Sequence, residues 1–241
     1  MKTSFARDML DRTQEGTAAL LRAVRPAFTG LDHFTLGALA AGETATWSGL
    51  LTWRTLGTAT TIAAPVLLAL RPDCSPETRV GLIASAVGQA AKRGKNGQPA
   101  KPTALGVACV TAQYGAFAWQ LRGARNDATG WGLRVGAWAA GIAVARTRGE
   151  RLASAVAGLP AAALSALAGD PTLRAAESTQ GISHGANLLL ASEAATVAGT
   201  RAAQLPAVGT AVGKLLAAGQ SAAQTVGLVL LVDGLARKGR G

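Results

Sequence analysis

Charge in this chain comes in short cationic bursts separated by stretches that carry none, and few folds accommodate that pattern. Residues 55–70, 102–121, 152–169 and 215–232 contain no Asp, Glu, Lys or Arg. Between such stretches lie Arg71 to Arg79, Lys92 to Lys101, Arg122 to Arg125, Arg146 to Arg151 and Arg237 to Arg240. The formal net charge is +11, yet only 15% of the residues are charged. A nucleic-acid binder with this surplus would show basic stripes interleaved with aromatics on a polar face. Aromatics are 4% here and the cations sit between apolar runs, so no nucleic-acid partner is expected. Apolar runs joined by cationic connections fit a polytopic helical membrane protein whose loops meet anionic headgroups.

Eight apolar segments follow, at about 33–51, 55–70, 79–91, 102–121, 130–146, 151–169, 182–203 and 207–235. They are long, unalternating and rich in Ala and Leu, which favours helix over strand. The expected fold is therefore all-α, a polytopic membrane bundle of about eight transmembrane helices at residues 31–236. A basic tail, 237–241, follows it. Several segments are shorter than the ~20 apolar residues a bilayer core requires, so a soluble Ala-rich bundle is the competing architecture. Residues 1–30 contain Arg7, Asp8, Asp11, Arg12, Glu15, Arg22 and Arg25, which leaves no apolar core for a cleavable signal. This polar segment reads either as a short interfacial helix or as a loosely ordered leader. An even helix number puts both termini on one side. That side carries 13 Lys and Arg against 9 on the other, which favours cytoplasmic termini in a bacterial-type cell membrane.

Polar residues inside apolar segments are costly, and they mark candidate sites. Glu43 and Glu193 are the carboxyl groups at mid-segment; Gln89, Gln113, Asn187, Gln220 and Gln224 are the amides. Asp170, His184 and Asp233 lie near segment ends and are expected at the interface. The plain alternative for each amide is a hydrogen bond between helices. His184 and Glu193 are nine positions apart, about 900° of helix, and so face opposite ways. No GxSxG, P-loop, HExxH or paired-cysteine zinc spacing occurs. With two histidines and two cysteines, neither a metal nor a cofactor is implied.

Five local patterns stand in order along the chain. They are Ala64-Pro65-Val66-Leu67-Leu68-Ala69-Leu70, then Ala84-Ser85-Ala86-Val87-Gly88-Gln89, then Leu105 to Gln113 followed by Tyr114 and Ala116-Phe117. Next come Gly185-Ala186-Asn187-Leu188-Leu189-Leu190-Ala191-Ser192-Glu193 and finally Ala222-Ala223-Gln224. Together, over roughly residues 33–235, these resemble the YhhN family of eight-helix membrane proteins, which includes the lysoplasmalogenases. The chain departs from that pattern in its polar centre. The family has Lys where Ala64 stands, Asp at Gln89, Gly-His near Ala112-Gln113, Asp at Glu193, and aromatics before the final Ala-Gln.

The resemblance implies hydrolysis of the vinyl ether of a lysoplasmalogen, a membrane-lipid substrate. Acid protonates the alkenyl carbon, an oxocarbenium ion forms and water captures it. Such a site requires a proton donor and a group that stabilises the cation or orients water. On this reading Glu193 and Gln89 are the catalytic candidates. Glu43, Gln113, Asn187, Ser192, Gln220 and Gln224 would line the cavity, with no metal. The alternatives are a catalytically inactive lipid-binding or interaction protein of the same fold, and a small proton-coupled transporter using Glu43 and Glu193.

Overall fold

A computed structural model describes residues 2–51, 54–92, 103–202 and 209–240. The fold is all-α, 85% helical, with ten helices and no strands among the described residues. They are α1 (Lys2–Phe28), α2 (His33–Leu51), α3 (Arg54–Ala69), α4 (Pro76–Ala91) and α5 (Ala104–Gln120). After these come α6 (Ala128–Ala143), α7 (Arg148–Leu167), α8 (Pro171–Ala175), α9 (Gln180–Ala202) and α10 (Gly209–Lys238). Each predicted apolar segment coincides with one of α2–α7, α9 and α10, with ends moved by a few residues. Two elements are additional. The leader is helical, as α1, and α8 is a single turn between α7 and α9. The C-terminal boundary also moves, because α10 runs through Arg237 and Lys238.

The cationic connections double as helix starts. Ser75 caps α4 with Pro76 in its first turn, Thr103 caps α5 and Asp127 caps α6. Thr147 and Glu150 form a capping box on α7. Each cap satisfies a backbone N–H that the helix itself leaves unpaired.

The helices pack into a closed circuit, α10–α2–α3–α4–α5–α7–α9 and back to α10, in which α5 and α7 run parallel and the other neighbours antiparallel. Helix α6 stands outside it, seated on α7, and α1 lies against α2, α9 and α10. The α9–α10 seam is the tightest, and glycine makes it possible. A Cβ on Gly185 would stand 2.6 Å from both the Gly227 carbonyl oxygen and the Leu231 nitrogen. One on Gly181, a turn earlier, would meet the Leu230 carbonyl oxygen at 2.9 Å. Small residues four apart let two helix backbones touch in this way.

One end of the bundle gathers the C-terminus with the last turns of α1, the end of α5 and the α3–α4 turn. Arg237 donates to the Arg22 carbonyl, Lys238 to the Gln120 carbonyl and Arg240 to Asp73. This is called the terminal end below, and the opposite end the distal end. At the terminal end Arg71 is 5% exposed. It bonds Asp73 through Nε and Nη2 at 3.0 and 2.8 Å and the Thr35 hydroxyl at 3.1 Å. It also lies 3.4 Å from Asp32. Asp32 in turn accepts from the Thr35 backbone at the start of α2. One guanidinium thus fastens α2 to the α3–α4 turn.

The circuit helices carry apolar side chains on the outside around an apolar core, headed by Leu68, Leu82, Phe117, Leu164, Leu189 and Leu228, that also encloses polar groups. Large apolar side chains face outward on every circuit helix except α9, among them Trp47, Leu56, Val66, Ile83, Leu105, Leu159 and Leu215. The inside holds Ser48, Thr61, Ser85, Gln89, Gln113, Ser165, Ser192 and Gln224, all buried. Among the described residues one helix is long and apolar enough to cross a membrane, the 29-residue Thr210–Lys238 stretch of α10, whose apolar 18-residue window has mean hydropathy 1.6 and is 56% buried.

Candidate functional site

Glu193 sits in the fourth turn of α9, in an otherwise apolar run, and two helices bring it partners. Lys92, just past the end of α4, donates from Nζ to both carboxylate oxygens, at 2.9 and 3.0 Å. Tyr114, on α5, donates to Oε1 at 3.1 Å and lies 3.5 Å from the Leu189 carbonyl oxygen one turn back on α9. The Lys92 and Glu193 side chains are about a quarter exposed, at 26% and 28%. Tyr114, by contrast, is 1% exposed. The result is a half-open ion pair with a buried phenol beneath it, tying α4, α5 and α9 together.

Two predicted amides flank this centre. Gln89 is one turn before Lys92 on α4, and Gln113 directly precedes Tyr114 on α5. Both are buried, at 3% and 2% exposure. Neither makes a side-chain hydrogen bond to a described residue. The Ser85 hydroxyl one turn before Gln89 is buried without a partner, as are those of Ser48, Thr111 and Ser183 elsewhere in the bundle. Buried polar groups are nearly always paired, so the two amides and Ser85 offer hydrogen-bonding capacity that the described residues leave unused.

Ser192 belongs to the centre: it is buried, donates back to the Leu189 carbonyl at 2.7 Å and shares a hydrogen bond with the Tyr114 phenol. The other candidates lie elsewhere. Asn187, two turns from Glu193 toward the terminal end, accepts from Ser165 at 2.7 Å and so joins α9 to α7. Gln220 and Gln224 do share a face of α10, with Gln220 donating to Gln224 at 3.4 Å. Glu43 stands on the outward stripe of α2 with Leu36, Trp47 and Leu51, and its Oε1 accepts from the Trp47 indole at 2.6 Å. Helix α2 is apolar nearly all round, so its sequence pattern does not show which side faces in. Asp170 caps α8, Asp233 pairs with Arg237, and His184 touches Glu15 of α1 at 3.9 Å.

Lys92 and Tyr114 were missed as site residues. Lys92 opens a run of cations and looks like any loop lysine. Tyr114 carried a signal, being the single tyrosine of the chain and adjacent to a mid-segment amide. No group of three or more metal-binding side chains occurs among the described residues.

An open cleft of about 600 Å³ lies between α5 and α7 at the distal end, lined by Val107, Ala108, Thr111, Leu152, Ala153 and Val156. None of the ionic groups lines it. The titratable side chains gather at the ionic centre and not in this cleft. Compared with known proteins, the chain matches no family model, no curated sequence and no solved structure.

Proposed function

We propose that the chain is a polytopic membrane protein of lysoplasmalogenase-like type whose reactive centre is Lys92–Glu193–Tyr114. Support for the membrane reading is the apolar exterior of the circuit helices, with hydroxyls and amides enclosed in the core instead of facing out. Lipid tails accept such an exterior, whereas water penalises it. Helices α3, α4 and α5 are short for a bilayer core, but local thinning and snorkelling of flanking cations absorb a modest mismatch.

For the hydrolysis, the observation that carries the reading is a carboxylate bridged by an ammonium and a phenol beside unpaired amides. All of Glu193's contacts are as an acceptor, which changes the role first expected of it. Lys92, the cation in contact, gives a proton to the alkenyl carbon. Glu193 stabilises the oxocarbenium ion and takes a proton from the water that attacks it. That proton returns to Lys92 across the 2.9 Å bond. The hemiacetal collapses to a fatty aldehyde and the free glycerol hydroxyl. Gln89 and Gln113 supply donors and acceptors for the ether oxygen and the water. General acid–base groups of this kind contribute ~10²–10⁴-fold.

The test is aldehyde release from a lysoplasmenyl lipid by the purified chain in detergent. Glu193→Gln should lower the rate at least about 100-fold; an unchanged rate in that variant rejects the assignment. A second reading, lipid binding without turnover, draws on the saturation of Glu193 by its partners and on the outward position of Glu43, the other mid-segment carboxyl. Lipid that co-purifies and is never cleaved would favour it.

A further inference from the structure

The corner where the α5–α6 turn, α6 and α8 meet at the terminal end holds more cations, Arg125, Arg134 and Arg174, than carboxylates, Asp127 and Asp170. Its two carboxylates are consumed by backbone. Asp127 accepts from the Gly130 N–H, and Asp170 accepts from the N–H groups of Arg125 and Thr172. Arg125, Arg134 and Arg174 have no carboxylate of a described residue within ion-pair distance.

Arg134 is the informative member. It belongs to α6, two turns in from the helix start, and that helix touches the rest of the bundle chiefly through α7. Its Nε donates to Ser165 at 3.2 Å, and Ser165 in turn donates to Asn187. The Nη1 group donates to the Gly130 carbonyl at 2.9 Å, one turn nearer the helix start. The side chain is thus bent back toward the terminal end, as a long cation does when it reaches from lipid depth to the headgroups. There Asp127 attracts it and Arg174 acts on it as a like charge. The surroundings mark that level as an interface. Trp119 is 59% exposed at the end of α5, with the Arg122 guanidinium 4.9 Å above its ring.

We propose that Arg134 and Arg174, with Arg125 beside them, bind the phosphodiester headgroup of an anionic phospholipid, Ser165 and Asn187 holding the Arg134 guanidinium in place. Guanidinium forks suit phosphate oxygens, and a lipid seated here would supply the negative charge that the corner lacks. This site rests on the membrane reading but not on the hydrolytic one.

The test uses the full chain in detergent, incubated with equal phosphatidylglycerol and phosphatidylcholine, with retained lipid counted by native mass spectrometry. The expected result is selective retention of phosphatidylglycerol, reduced at least fivefold in Arg134→Gln and in Arg174→Ala. Arg134→Lys should keep most of the retention, and Arg148→Ala at the opposite end should change nothing. Arg174 lies exposed on a five-residue helix, so its variant keeps the experiment decisive if Arg134→Gln fails to fold. Equal retention of the two lipids, or wild-type retention in Arg174→Ala, overturns the site. Inorganic phosphate displacing the lipid at millimolar concentration would replace the headgroup with a free anion, and overturns it too. Recovery of the chain in the supernatant without detergent removes the membrane reading and this site with it. Indifference to lipid in a chain that pellets removes this site alone.

Discussion

Two ionic clusters cross-link the bundle near opposite ends, and they differ in what remains unused. Around Arg71 the bonds run to two aspartates and a threonine, and the guanidinium is almost fully enclosed. Around Glu193 the pair is a quarter exposed, and buried amides beside it have no partner. A saturated, enclosed cluster fixes helices in place, and removing one member strands the others in low dielectric. An open cluster with spare donors and acceptors has capacity for a ligand. The comparison assigns the terminal cluster to the fold and the distal one to chemistry, and both assignments can be broken by mutation.

The largest effect should come from Arg71→Met, which leaves Asp32 and Asp73 without their cation. Breaking a buried pair costs about 3–5 kcal/mol, to be read from thermal or denaturant unfolding in detergent. Cys74 offers a local readout. It is 7% exposed, its thiol donates to the Leu68 carbonyl, and burial pushes its pKa up to about 11. Alkylation at neutral pH should be slow in the native protein and should quicken in the variant as the turn loosens. Rapid labelling of Cys74 in the native protein would show the terminal cluster to be open, and the contrast would fail.

Next comes Tyr114→Phe, which keeps the buried ring and deletes the hydroxyl on Glu193. Its expected stability cost is about 1 kcal/mol, one neutral-to-charged hydrogen bond lost near a still-paired carboxylate. Aldehyde release should fall about tenfold, since the carboxylate loses a positioning donor. A stability loss as large as that of Arg71→Met, with turnover unaffected, would make the distal cluster a second staple.

Gln113→Leu separates unused capacity from hidden structure. An unpaired buried amide costs about 1–3 kcal/mol, so an apolar side chain of similar size should be neutral or stabilising by up to about 1 kcal/mol. Affinity for the lysoplasmenyl lipid should drop severalfold at the same time. Destabilisation of the ligand-free protein would mean that the amide already holds helices together.

The helices were legible because charge marks their ends. Ser75-Pro76 and Thr147 stand within cationic clusters and Thr103 and Asp127 just after them, and each cap starts the helix that follows. Glu193 was legible because a carboxyl in Leu188-Leu189-Leu190-Ala191-Ser192-Glu193 is out of place. What sequence could not give is direction and meeting. Glu43 looks as interior as Glu193 in a helix apolar on all sides, yet it faces outward to Trp47. Lys92 meets Glu193 only because α4 and α9 end up facing across the bundle, 101 residues apart. Arg71 and Asp32 resemble ordinary headgroup charges until folding encloses them. Spacing within one helix constrains faces, but contacts between distant helices depend on tilt and order around the circuit.

Acid gives the mildest and most selective probe of the comparison. Burial raises the Asp73 pKa, but the Arg71 hydrogen bond and charge outweigh it, aided by Arg240, and hold the carboxyl below its usual range. A depressed carboxyl contributes stability that is complete above its unfolded value, about 3.9, and is lost as pH falls through the folded one. The native protein should therefore lose stability gradually below about pH 4. Asp73→Asn should start lower and show a shallower loss over the same range. Because Asp73 is partly exposed, screening by salt should shrink the difference. An acid profile identical in the two proteins would mean that Arg71 is neutralised by Asp32 alone. The terminal cluster would then carry a surplus acceptor, and saturation would no longer distinguish it from the distal one.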